Sequence, residues 1–155
     1  MKYQDWEDDV PDSIKQDALW KVSAYRHGLL LSDLAWSDVT KLVGDRRTTA
    51  LADQLYRAVG SISANIAEGY SRQSGRDFAR FCEYALGSAR ESREWYYKAR
   101  HILGEAVFEH RLQLVSEIIR LLLTMIPQQR RRNMKEQEEY YNTTIGQNDG
   151  QDIPS

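Results

Sequence analysis

The chain has a single cysteine, Cys82, so it holds no internal disulfide and no multi-cysteine zinc site. Its three prolines, Pro11, Pro127 and Pro154, all lie near the ends. The interior is therefore free of the strongest helix breaker. No apolar run approaches the roughly 20 residues that span a bilayer. Residues Met1 to Asp12 are acidic and lack the apolar region of a signal peptide. These absences predict a soluble, cytoplasmic protein with no membrane partner. The net charge is only −2 over 155 residues, which excludes a chain dominated by a polyanion-binding surface but leaves room for a local basic patch. The length fits one domain with a substantial core.

The common catalytic signatures are missing too. Helical di-metal sites use a Glu-x-x-His pair on facing helices, and none occurs here; His27, His101 and His110 stand at unrelated positions. There is no Gly-x-Ser-x-Gly elbow and no Gly-x-x-x-x-Gly-Lys phosphate loop. Cys82 sits between Phe81 and Glu83 with nothing to mark a nucleophile, as expected of a buried, inert thiol. The chain is therefore expected to be no enzyme, with no catalytic residue, cofactor or metal.

What is present is a 3.6-residue hydrophobic period over four segments. The first is expected from Ser13 to Val43, opened by a Ser13–Gln16 capping box. Arg26 interrupts its apolar stripe, while Gly28 and Trp36-Ser37-Asp38 are points where it can bend. Gly44-Asp45-Arg46-Arg47 ends it. The second runs from Thr48 to Glu68, with Leu51, Leu55, Ala58, Ile62 and Ile66 buried and Gly69 as a left-handed stop. The third runs from Gly75 to Leu103, between a Ser74–Asp77 start and a Gly104 stop. The fourth runs from Glu105 to Gln129. Short links make neighbouring helices antiparallel. The expected fold is all-α, an up-down-up-down antiparallel four-helix bundle over residues 13–129. It is flanked by an acidic tail, 1–12, and a polar, disordered tail, 130–155.

The fourth segment carries two apolar stripes: Leu112, Val115, Ile119, Leu122 and Ile126, and beside them Leu114, Ile118, Leu121 and Met125. One stripe is enough for a monomeric bundle, so the second predicts burial against another subunit. Trp95, Tyr96 and Tyr97 point in three directions, which also favours an interface. On the third segment Ala85, Ser88, Ala89 and Ser92 form a small-residue seam, matched by Ala58 and Ser61 on the second. Close approach there would gather Arg57, Asn65, Glu68, Ser88 and Glu91 into a polar network. Arg57 lies about 16 Å from Glu68 along the axis at helical rise and would meet Glu91 or another subunit instead.

The run from Gln54 to Gly69, with Ser61-Ile62-Ser63-Ala64-Asn65-Ile66-Ala67-Glu68-Gly69 at its end, resembles the core motif of the 23S rRNA intervening-sequence protein family of four-helix-bundle proteins. Ala85-x-Gly87-Ser88-x-x-Glu91 resembles the family's second element, with Phe78 and Phe81 ahead of it. The resemblance extends over roughly Ala18 to Gln129. It implies a bacterial four-helix bundle that assembles as a ring-like homopentamer, with no enzymatic activity attached. A distant relative with this fold works with a reverse transcriptase and nucleic acid, which makes RNA, DNA or a reverse-transcriptase-type protein an implied partner. This chain is mildly acidic where that relative is basic.

Glu68 and Glu91 are the carboxylates in these two motifs. They are expected to cap and lock helices, although an acid–base site between the second and third helices is the competing reading. The basic signal is local: residues 44–101 hold ten Lys and Arg against seven Asp and Glu. Arg72, Arg76 and Arg80 cluster around the link after Gly69, Arg76 and Arg80 sharing a helix face. Tyr70 stands nearby for base stacking. These four are the candidate nucleic-acid-binding residues, with Arg130-Arg131-Arg132 as a further basic run. The expected function is an oligomeric scaffold for RNA, DNA or a nucleic-acid-processing partner. The alternative is a protein-binding adaptor using the acidic first segment or the tail.

Overall fold

A computed structural model describes residues 3–146. They form six α-helices and one 3-10 turn, with no strand among the described residues. The elements are α1 (Tyr3–Asp9), α2 (Asp12–Lys15), the turn Ala18–Lys21, α3 (Ser23–Leu42), α4 (Thr49–Tyr70), α5 (Gly75–Leu103) and α6 (Glu105–Gly146). No helix among them is long and apolar enough to cross a membrane. The four long helices enclose one core, with Leu31, Leu42, Leu55, Val59, Ile62, Ile66, Val115, Ile118 and Leu122 fully buried.

Local chemistry fixes several boundaries where the sequence places them. Ser74 Oγ accepts the Asp77 N–H at 3.1 Å and opens α5. Gly104 closes it at φ +82°, its N–H returning to the Arg100 carbonyl at 3.0 Å. The α3–α4 link is held by Asp45, which accepts the Arg47 backbone N–H at 2.9 Å and its guanidinium at 2.6 Å. Those hydrogen bonds pull the Asp45 carboxyl down to about 2.

The first segment is not one helix from Ser13. Asp17 Oδ1 accepts the Leu19 N–H at 2.8 Å and diverts the chain into the 3-10 turn, and Val22 is extended at φ −80°, ψ 106°. Arg26 explains itself at this break: its guanidinium donates to the Trp20 carbonyl at 2.5 Å and to Ser23 Oγ at 3.2 Å. α3 runs through Gly28 without a break. A Cβ there would lie 3.2 Å from Ser63 Cβ, so the glycine permits a close crossing of α3 and α4.

Residues 3–12 pack onto the long helices as structured chain. Trp6 is buried, its indole donates to Asp33 Oδ2 at 2.6 Å, and its ring stacks on Trp20 at 6.1 Å. With Val10 and Leu30 it forms a second small core that Leu114 of α6 also touches.

The second stripe on α6 is in part covered by the chain itself. Ile118 is fully buried, while Leu114, Leu121 and Met125 are half-buried against the chain's own core. Leu114 also touches the second core, and Leu121 and Met125 keep part of their surface open. Trp95, Tyr96 and Tyr97 likewise divide into half-buried, buried and exposed.

At the other end, α6 does not stop near Gln129. It passes through Pro127 and continues to Gly146. Pro127 forfeits one helical hydrogen bond, but packing carries the helix on. A Cβ on Gly75 would lie 2.4 Å from the Gln129 carbonyl, so the start of α5 lies directly on the α6 backbone. Residues 130–146, expected as disordered tail, are helical; 147–155 lie outside the described residues.

Candidate nucleic-acid interface

The expected basic residues gather at the end of the molecule where α4 turns into α5. α4 runs past Gly69 to Tyr70, and Gly69 has no positive φ. It is a contact glycine: a Cβ there would sit 2.6 Å from Phe81 Cβ and 3.0 Å from Phe78 Cδ2. The close approach sets Tyr70 against Phe78, ring centroids 5.8 Å apart and planes at 88°. Arg72 pairs with Glu68 at 2.9 Å and lies over the Phe81 ring at 4.9 Å. Arg80 approaches Asp77 at 3.4 Å and lies over the same ring at 5.6 Å. Arg76 is exposed and makes no ion pair among the described residues.

The α6 extension completes this surface. Arg130 pairs with Glu83 of α5, and Arg132 with Glu136 at 2.8 Å. Two open clefts result, sharing Ser74 as a wall. One, of about 500 Å³, is lined by Arg76, Arg80, Arg130, Asn133 and Gln137 among others. The second, of about 260 Å³, is lined by Tyr70, Arg72, Gln73, Gln129 and Arg132 among others. Gln129 Oε1 is buried with no hydrogen-bond partner among the described residues. Every ion pair here is largely exposed, and exposed pairs contribute about 0–1 kcal/mol each. Exchanging a carboxylate partner for a phosphate therefore costs little.

The expected polar network of Arg57, Asn65, Glu68, Ser88 and Glu91 is not assembled. Ser61 Oγ donates to Ser88 Oγ at 2.6 Å, linking α4 to α5 through the small-residue seam. Asn65 donates back to the Ser61 carbonyl at 2.8 Å. Glu68 turns to Arg72, Glu91 accepts the Trp95 indole at 3.1 Å, and Arg57 faces Asp53 at 3.4 Å. Each charged member found a partner four residues away in sequence, Arg57 and Glu91 on their own helices and Glu68 in the link just past α4. Glu68 and Glu91 are both exposed, so they form no buried acid–base pair. No cluster of three metal-ligating side chains occurs among the described residues. Cys82 is buried, and burial pushes its thiol up to about 12.

The deep polar site lies elsewhere. Asp38, fully buried, accepts Arg111 Nε at 2.7 Å and Nη2 at 3.0 Å, and the Tyr96 hydroxyl at 3.0 Å. Burial and the neighbouring Asp38 charge raise the Tyr96 pKa. His110 is held low by partial burial and by Arg111, whose Nη1 lies 2.8 Å from its Nδ1. Sequence spacing carried a signal for this site: Leu31, Ala35, Asp38 and Leu42 share one helical stripe, so the carboxylate falls on a buried face. The triad joins α3, α5 and α6.

Comparison with known proteins agrees with the motif resemblance. The family model described as 23S rRNA-intervening sequence protein matches residues 21–124. A crystal structure of a protein with unknown function from the S23 ribosomal protein family, from Bacteroides thetaiotaomicron, aligns with a TM-score of 0.63 and 25% identity. The alignment covers 66% of this chain and 97% of that one. No curated protein matches. With two elements of the family motif in order and more than half of its length matched, the chain belongs to the 23S rRNA-intervening sequence protein family.

Proposed function

We propose that this protein is a non-enzymatic, oligomeric scaffold in the cytoplasm that binds RNA or DNA through the basic end formed by α4, α5 and α6. One observation carries the reading: Arg72, Arg76, Arg80, Arg130 and Arg132, distant in sequence, line two adjoining clefts. Arginine forks suit phosphate oxygens, and their present partners are exposed and easily exchanged. The proposed architecture is the up-down-up-down antiparallel four-helix bundle. It is supported by contacts whose residue numbers rise on one helix and fall on the next: Gly28 meets Ser63 and Trp36 meets Tyr56, Ser61 meets Ser88 and Gly69 meets Phe81.

Assembly as a homopentamer follows from the family resemblance. It would repeat the basic end around one rim and turn weak contacts into avidity. Light scattering tests it separately: a mass near one subunit removes the ring. Gel-shift titration with large-subunit rRNA fragments tests the binding itself. Arg72, Arg76 and Arg80 replaced together by Ala should weaken the shift, and unchanged binding sinks the assignment.

A second reading, a protein-binding adaptor, has its own observation. Trp36 of α3 and Tyr56 of α4 meet edge-to-face at 6.0 Å, at 66% and 42% exposure. Pull-down of a protein partner that survives nuclease treatment and is lost with Trp36→Ala favours it.

A further inference from the structure

The arrangement of the basic end favours one form of nucleic acid. Its arginines are split between two clefts on either side of Ser74, at the corner where α5 begins. Tyr70 borders one of them and is 39% exposed. Phe78 meets it with the ring planes at 88°, so the two rings do not stack face to face. Arg72 and Arg80 both rest on Phe81, which limits the directions in which their guanidinium groups point. The outer walls come from α6: Arg130, Arg132, Asn133 and Gln137 all lie beyond residue 124, where the family match ends.

We propose that the α6 extension turns this end into a clamp for single-stranded nucleic acid, one base stacking on Tyr70 and successive phosphates entering the two clefts. The proposal rests on the nucleic-acid reading above and narrows it. A single strand bends around a corner and exposes the faces of its bases. A duplex keeps its bases stacked on one another and resists sharp bending over many tens of base pairs. It offers Tyr70 no base face and cannot follow both clefts. Aromatic stacking is tolerant of sequence, because every base has a π face. The partner class is therefore a flexible strand of RNA or DNA with little sequence preference.

The test is fluorescence anisotropy of the full chain at low salt. The probes are single strands of about twelve nucleotides, as RNA and as DNA, and a blunt duplex of the same sequence. The single strands should bind at least about tenfold more tightly than the duplex. Tyr70→Ala should weaken single-strand binding about tenfold, the scale of one lost base stack, while Tyr70→Phe keeps it. Arg130→Ala combined with Arg132→Ala should weaken it severalfold, with helicity by circular dichroism confirming the fold. A preference between the RNA and DNA strands identifies which of the two is the natural source. If the duplex binds as well as the strands and Tyr70→Ala changes nothing, the single-strand inference is overturned while the nucleic-acid reading stands. If neither form binds, both fall.

Discussion

Arg111 grips Asp38 across 73 positions of sequence through two parallel hydrogen bonds, Nε to Oδ2 at 2.7 Å and Nη2 to Oδ1 at 3.0 Å. The carboxylate has no solvent access, and the Tyr96 hydroxyl supplies its third donor. This triad ties α3 to α5 and α6. Removing one member strands the others. Arg111→Ala leaves an uncompensated buried carboxylate and should destabilise the fold by about 3–5 kcal/mol in urea unfolding. Tyr96→Phe deletes one hydrogen bond to a charged acceptor and should cost about 1.5–3 kcal/mol. A loss under 1 kcal/mol for Arg111→Ala would mean that the pair contributes little.

Alkaline pH should act through the same triad. The folded-state pKa of Tyr96 is raised above its ordinary value of 10 by burial and by Asp38. Its contribution is thus fully present below about pH 10 and is lost as pH rises above that value, because the unfolded chain releases the proton first. The slope for one proton is about 1.4 kcal/mol per pH unit. Tyr96→Phe should flatten this part of the stability–pH curve between pH 10 and 11, measured by urea melts. Cys82 acts in the same direction from its ordinary 9.0, so Cys82→Ala should flatten the curve further.

The glycines separate into two classes with opposite predicted outcomes. Gly69→Ala forces a methyl group to 2.6 Å from Phe81 Cβ and should cost about 1–3 kcal/mol. Gly60 and Gly87 are exposed within helices, and a Cβ on either meets nothing within 4 Å. Alanine at each should raise stability by about 0.5–1 kcal/mol. Thermal melts of the three single variants decide this. A loss at Gly60 or Gly87 would place another surface against that face.

Trp6 should anchor the first twenty residues. Trp6→Ala removes a buried indole, its hydrogen bond to Asp33 and its stack on Trp20, and should cost about 3–5 kcal/mol. Limited proteolysis at Lys15 and Lys21 should accelerate in the variant. Unchanged cleavage would show that Trp6 does not hold the segment down.

Much of the fold was legible because local signals agreed with one another. Ser74, Asp77 and Gly104 delimit α5 by capping chemistry that needs no tertiary information. The seam of Ala85, Ser88 and Ala89 correctly places a close helix contact, seen in the Ser61–Ser88 hydrogen bond. What failed depended on distant packing. Gly69 reads as a left-handed stop, but the approach of Phe78 and Phe81 is invisible in the sequence around it. Pro127 and the polar residues after it read as a tail, because the contact of Gly75 with Gln129 is distant in sequence. Residues 1–12 read as an acidic tail since their charges outnumber one decisive tryptophan. Of the candidate interface, Tyr70, Arg72, Arg76 and Arg80 were legible as a cluster. The wall built by Arg130 and Arg132 required the helix that the sequence hides.

The most direct test of nucleic-acid binding at this end is the salt dependence of affinity for a single strand, compared between the wild type and Arg72→Ala/Arg76→Ala/Arg80→Ala. Each neutralised phosphate of a single strand contributes a slope of about −0.7 in log K against log salt. Three arginines engaged with phosphates predict that the variant's slope is shallower by about 2, with weaker binding at low salt. Equal slopes and equal affinities for the two proteins would contradict the assignment of this surface.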